Sequence, residues 1–355
     1  MPPAAFARTP IVVFADVTRA SITVGPALPA AHGPLSMAVC RALTGPPSRD
    51  HLTRISASVR DSDPYSLDLQ LALCMCYELH YRGFADVDPT WEWNPDLLHL
   101  RAELERTYLA GVRRDVGPIE SDHTSATEME AISIEPVEGT GPSYFLRDTG
   151  TWPQMREYFV HRSLYHLKEG DPHAWAIPRL TGGAKAAFVA VEFDEYGAGQ
   201  GSRLHQQLFA DLLAAADLDS AYLGYLDAVP AEALATVNLM SLFGLHRWLR
   251  GAAIGHFAST EITSPPGSRR MVQALERMDA PPACIAFYRE HVEADAVHEQ
   301  VVRFDVVGDL VSREPKLDRD VVFGMRAHGV VENRLADGIM ACWKQDQTSL
   351  RQPLS

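Results

Sequence analysis

The chain is poor in cysteine, with five among 355 residues, at positions 40, 74, 76, 284 and 342. An odd, scattered set does not make the disulfide framework of a small secreted domain. No Cys-x-x-Cys pair occurs, which removes the common zinc and iron–sulfur arrangements. Cys74 and Cys76 stand in the apolar run 71–77 and read as buried thiols. Positive charge is also in short supply: 32 Lys and Arg against 46 Asp and Glu leave a net charge of −14. That excess repels a phosphate backbone, so no nucleic-acid partner is expected. Long apolar runs are missing. The uncharged stretch Ala233–Leu245 falls well short of the ~20 residues of a membrane span. The first residues carry early prolines and Arg8 with no apolar signal core behind them. A cytoplasmic protein without a membrane partner is therefore expected. Also missing are a His-Glu-x-x-His zinc motif and a Gly-x-Ser-x-Gly nucleophile elbow.

What remains is an ordinary globular composition, 46% hydrophobic and 22% charged, compatible with one large or two ordinary domains. Residues 1–66 are rich in Pro, Ala, Ser and Thr, and only 11–14 suggest a short strand or anchoring segment. Leu67 to about Tyr81 reads as a helix. Asn94-Pro95 is a good start for a second, with Asn as N-cap and Pro at the first helical position. Residues 117–150 are polar throughout and read as a linker or long surface loop.

From 151 onward the pattern is helix after helix: 152–169, 184–196, 202–216, 230–263, 281–307 and 320–343. The fourth of these is expected to end at Ser264-Pro265-Pro266-Gly267. No alternating strand pattern interrupts the series. The expected organisation is an all-α protein. A mainly helical N-terminal extension covers 1–150, with its polar linker at 117–150, and a helical bundle covers 151–355.

The sharpest chemical signal is His291-Val-Glu-Ala-Asp295-Ala-Val-His298. Steps of four and three put His291, Asp295 and His298 within a stripe of about 60° on one helix face, with Glu293 pointing elsewhere. The flanks are apolar, so the stripe faces the interior. Two imidazoles and a carboxylate buried together are costly unless something binds them, and a transition metal does so. A solvated polar face is the competing reading. Glu169, Glu195 and Glu261 each fall near the expected C-terminal end of an apolar helix, where a carboxylate opposes the helix dipole. A nearby cation would compensate. His205 follows Glu195 by ten residues across the Gly-rich turn 197–201, and a bent connection would bring the two together.

Four stretches together resemble the iron-containing redox enzymes with a haem-oxygenase-like fold, the diiron oxidases and oxygenases. They are Lys168-Glu169-Gly-Asp-Pro-His173-Ala-Trp-Ala-Ile-Pro178; Glu192-Phe-Asp-Glu195-Tyr-Gly-Ala-Gly with His205-Gln-Gln-Leu-Phe; Gly255-His-Phe-Ala-Ser-Thr-Glu261; and the His291/Asp295/His298 helix. Residues 77–84 are similar to an extension that actinobacterial members carry. The resemblance implies a haem-oxygenase-like bundle with metal ligands Glu169, Glu195, His205, Glu261, His291, Asp295 and His298. Glu192 is a rival for Glu195. Glu195 and Glu261 would be the residues closest to the chemistry, and His166, His173, His246 and His256 would be structural or would support the ligands.

Four ligating carboxylates carry −4, which two Fe(II) ions would neutralise; without metal they would repel one another and take up protons. Mn or a mixed Mn/Fe pair fits the same ligands. The implied activity is O2-dependent oxidation of a small-molecule substrate in specialised metabolism. N-oxygenation of an amine or amino-acid-derived compound leads, and desaturation or C–C cleavage of an amino or fatty acid follows. An external electron donor and a homodimer are compatible with it. The central helix around Phe243, His246 and Trp248 is the candidate pocket lining. Two other classes compete. A metal-free helical binding protein would keep the fold without the cluster, and haem degradation would need an early proximal histidine instead.

Overall fold

The computed structural model describes residues 25–45, 52, 55–136 and 138–354, apart from the side chains of 293–296. Residues 11–14 lie outside them. Among the described residues every regular element is helical, as expected. The helices are Pro34–Thr44 (α1), Leu67–Glu78 (α2), Pro95–Val116 (α3), Ser125–Ser133 (α4), Pro142–Asp148 (α5), Trp152–His166 (α6), Asp171–Ala174 (α7), Gly182–Glu195 (α8), His205–Ala215 (α9), Ala231–Leu245 (α10), Arg250–Arg277 (α11), Pro282–Gln300 (α12), Asp309–Arg313 (α13) and Asp318–Trp343 (α14). No described helix is long and apolar enough to cross a membrane.

The longest helix, α11, is the axis of the bundle and packs against α4, α5, α10, α12 and α14. It meets α14 backbone to backbone. A Cβ on Gly255 would lie 2.0 Å from the Val321 carbonyl oxygen, and one on Gly324 would lie 2.1 Å from that of Ala252. Only glycines let the two helices approach this closely. One apolar core runs without interruption from Leu71, Tyr77, Leu104 and Tyr108 into Leu234, Phe243, Val331 and Trp343. The N-terminal helices therefore share a core with the bundle. A second core joins Phe188, Ile254, Phe257, Val302, Val306 and Val321.

Asn94 caps α3 as expected, its side chain accepting from the Asp96 and Leu97 amides at 3.0 and 3.1 Å. Cys74 and Cys76 are buried, and burial pushes both thiols up to about 12.

Three expectations fail, each because remote contacts decide the outcome. The segment 117–150 is not all linker. Helix α4 forms on a Thr124/Thr127 capping box and is tied to α14, where Asp318 accepts from the Ser125 amide at 3.0 Å. Arg277 holds the end of α5 by donating to the carbonyls of Leu146 and Gly150, both at 2.6 Å. The expected helix 230–263 is two helices. The chain is extended at His246, and Arg179 donates to the carbonyls of Gly244 and Leu245, so the end of α10 is satisfied from 65 residues away. Lastly, α11 continues through Pro265 and Pro266 to Arg277. The two prolines leave the Glu261 and Ile262 carbonyls without their i+4 donors. Burial of Met271, Ala274 and Leu275 beyond them offsets that cost.

Candidate metal centre

Glu169 does not end a helix; it sits in the turn that follows α6, and Gly170 behind it adopts φ 85° to begin α7. Glu195 is the last residue of α8. His205 opens α9, later than the expected Ser202 start. The reversal between them depends on Gly197. Its φ is 67°, and a Cβ there would lie 2.5 Å from the Arg203 carbonyl carbon. Glu261 lies in the middle of α11 because the helix runs past the prolines, so the helix-end argument does not apply to it. His291 and His298 lie on α12, which passes at Val301–Gly308 into π-helical turns. Asp295 shares that helix, but its side chain lies outside the described residues.

The fold brings six of these side chains together, each between 2% and 6% exposed. Ligand atoms of Glu169, Glu195, His205 and His291 lie within 4.8 Å of one another, and so do those of Glu195, Glu261 and His298. Glu195 belongs to both groups. Its Oε2 is 2.6 Å from His205 Nδ1, and its Oε1 is 3.7 Å from His298 Nδ1. His298 Nδ1 is also 3.3 Å from Glu261 Oε2, and His291 Nε2 is 3.6 Å from Glu169 Oε2.

The imidazoles are oriented from behind. His291 Nδ1 donates to the Phe287 carbonyl at 2.8 Å, which turns Nε2 toward Glu169. His298 Nε2 is 3.2 Å from the Asp194 carboxylate, and His166 Nδ1 is 3.0 Å from Glu169 Oε1. Asp194 was not singled out in the sequence, because nothing there separates it from the neighbouring acids of 192–195. His173 faces His256, Nε2 to Nδ1 at 3.2 Å, and takes no part in either group.

Imidazoles face all three glutamates: His166 and His291 face Glu169, His205 and His298 face Glu195, and His298 faces Glu261. No described lysine or arginine is ion-paired with Glu169 or Glu195. Burial pushes the Glu169 carboxyl up, but His166 and His291 outweigh it and hold it well below its ordinary value. Burial lowers His205, and Glu195 outweighs that and raises it. Glu192 lies 2% exposed beside the cluster, and neither of its oxygens has a hydrogen-bond partner among the described residues. Burial, then Glu195 and Glu261, push its carboxyl well above the ordinary range. Imidazole nitrogens and carboxylate oxygens, buried and converging in two groups, form a donor set that suits iron or manganese.

A cavity of about 260 Å³ opens against Glu169 and His291. The stretch nominated from sequence contributes Thr236, Met240, His256 and Thr260 to its lining, but the three residues at its centre do not reach it. Phe243 is in the core, Trp248 is 58% exposed, and His246 is 2.9 Å from Glu105 Oε2.

Residues 156–329 match the family model described as iron-containing redox enzyme. Among curated proteins none matches the chain.

Proposed function

From the premise that this chain belongs, through residues 156–329, to the iron-containing redox enzyme family, we propose that it is a non-haem diiron oxidoreductase acting on a small molecule with O2. The observation that carries this reading is the sharing of Glu195 between two separate groups of ligand atoms. One buried group of three or four donors suits a single ion; two groups joined by one carboxylate suit a pair.

The residues have distinct parts in this reading. Glu169, His205 and His291 would hold one iron, Glu261 and His298 the other, with Glu195 between them and Asp295 as a further ligand. Glu192, whose oxygens have no hydrogen-bond partner among the described residues, would stand beside the pair as a further carboxylate. Asp194 and the Phe287 carbonyl keep two imidazoles aimed. The buried setting of all six ligands excludes bulk water. Two ferrous ions, when bound, would supply electrons for O2 activation. N-oxygenation is the leading reaction. Inserting one oxygen atom into an N–H bond and releasing the other as water takes two further electrons and two protons, so an external electron donor is part of the proposal. Desaturation or C–C cleavage is the alternative reaction at the same centre.

The test is Fe(II)-dependent O2 consumption in the presence of amines and amino acids. His298→Ala is expected to abolish it while the helical circular dichroism stays. Consumption that survived the substitution would remove the ligand assignment.

A further inference from the structure

The cavity beside Glu169 is not an apolar pocket. Tyr158, Arg162 and His166 follow one another at four-residue spacing along one face of α6 and line it, with Glu169 beyond. That face leads from the cavity wall to the metal cluster, with Arg162 one helical turn, about 6 Å, from His166. Opposite, on α14, stands Glu332. Arg162 donates Nη1 to Glu332 Oε1 at 2.9 Å, Nη2 to Oε2 at 2.6 Å, and Nε to the Tyr158 hydroxyl at 3.2 Å. A guanidinium has five N–H donors, so two remain. The two side chains are 23% and 24% exposed, and both line the cavity. A further lining group, the Tyr288 hydroxyl, is buried with no hydrogen-bond partner among the described residues, in a residue 6% exposed.

An ion pair withdrawn from bulk water is weak support for a fold, because apolar residues of similar volume often serve as well. Here the pair sits on the wall of a cavity that reaches the proposed iron site, and the same wall carries a hydroxyl with no partner among the described residues. A fatty chain in this space would leave both charges desolvated with no new partner. A molecule carrying one charge of each sign would complete both. The volume lies just below the usual range of about 300–1,000 Å³ for ligand pockets, which restricts the occupant to a small molecule.

We propose that Arg162 and Glu332 form the subsite for a zwitterionic substrate of amino-acid type. The substrate carboxylate takes the free N–H groups of Arg162 and the Tyr288 hydroxyl. Its protonated nitrogen takes the free lone pairs of Glu332. The rest of the molecule extends past His166 toward Glu169 and His291. The direction of that extension rests on the diiron reading; the charge recognition does not.

The experiment is calorimetric titration of the full chain, metal-free and Fe(II)-loaded under anaerobic conditions, with four probe sets: free L-amino acids, their carboxamides, their N-acetyl derivatives, and decanoate. The best-bound amino acid is expected to bind at least about tenfold more tightly than its carboxamide and its N-acetyl form, the equivalent of one charge-assisted hydrogen bond each. Arg162→Gln should erase the preference over the carboxamide, and Glu332→Gln the preference over the N-acetyl form. The double variant leaves no unpaired charge and should keep its helical circular dichroism while losing both preferences. A wild type that binds no amino acid, one that binds decanoate better, or variants that keep both preferences would overturn the subsite. If iron is taken up and the preferences are absent, the subsite falls and the diiron reading stands. If the preferences appear in a chain that takes up no iron, the reverse holds.

Discussion

Lys168 and Glu169 are neighbours in sequence, and they serve two buried charge clusters of opposite character. Lys168 turns toward Glu78, which is fully buried, at 3.2 Å. That carboxylate also accepts from the Tyr222 hydroxyl at 2.9 and 3.0 Å and from the Arg82 amide at 3.2 Å. Every charge there is met by protein donors. Glu169 turns the other way, into a group where carboxylates face imidazoles and no described lysine or arginine pairs with them. The difference shows what burial of a carboxylate requires. In the first cluster the chain supplies its own cation; in the second, on the proposed reading, that part falls to a metal.

The comparison sets the order of expected effects. Lys168→Met should be the most damaging change, because it strands the Glu78 charge. Denaturant unfolding should record a loss of about 3–5 kcal/mol, with or without metal. Next comes metal itself. Thermal unfolding of the chelated protein should shift upward on adding Fe(II) or Mn(II), by about 2.7 kcal/mol at a hundredfold excess over the dissociation constant. Lys168→Met should show the same increment, since its cluster binds no ion; an increment lost there would merge the two clusters into one. The smallest effect concerns Glu192. Its carboxyl titrates well above the ordinary 4.5 because of burial and of Glu195 and Glu261. The unfolded chain releases this proton first, so between 4.5 and the folded value stability falls as pH rises. Glu192→Gln should remove that slope and stabilise the metal-free protein near neutral pH, read as a higher denaturant midpoint than wild type. A variant less stable than wild type at that pH would mean that the ionised form is the one the fold holds.

The sequence carried the helical class and the local periodicities well. The steps of four and three that align His291 with His298, and the Asn94-Pro95 start of α3, are local geometry and are legible without neighbours. Less legible was anything settled by partners far along the chain. The end of α10 depends on Arg179, and the passage of α11 through Pro265-Pro266 depends on core burial beyond them. The same limit applied at the centre. Glu169, Glu195 and Glu261 stood out by their expected helix ends and His205 by the Gly-rich turn, but they became a ligand set only through the resemblance, while Asp194 behind His298, and Arg162 and Glu332 on the cavity wall, have no sequence pattern. They acquire meaning only when α6, α8, α12 and α14 are assembled.

The most direct measurement is an anaerobic Fe(II) titration of the chelated protein, read at its endpoint by iron-bound absorbance and iron quantitation. The two groups joined at Glu195 lead us to expect two irons per chain for the wild type. His298→Ala, which leaves only the Glu169, Glu195, His205 and His291 group whole, should take up one. A wild type that stays helical yet takes up one iron or none would contradict the account.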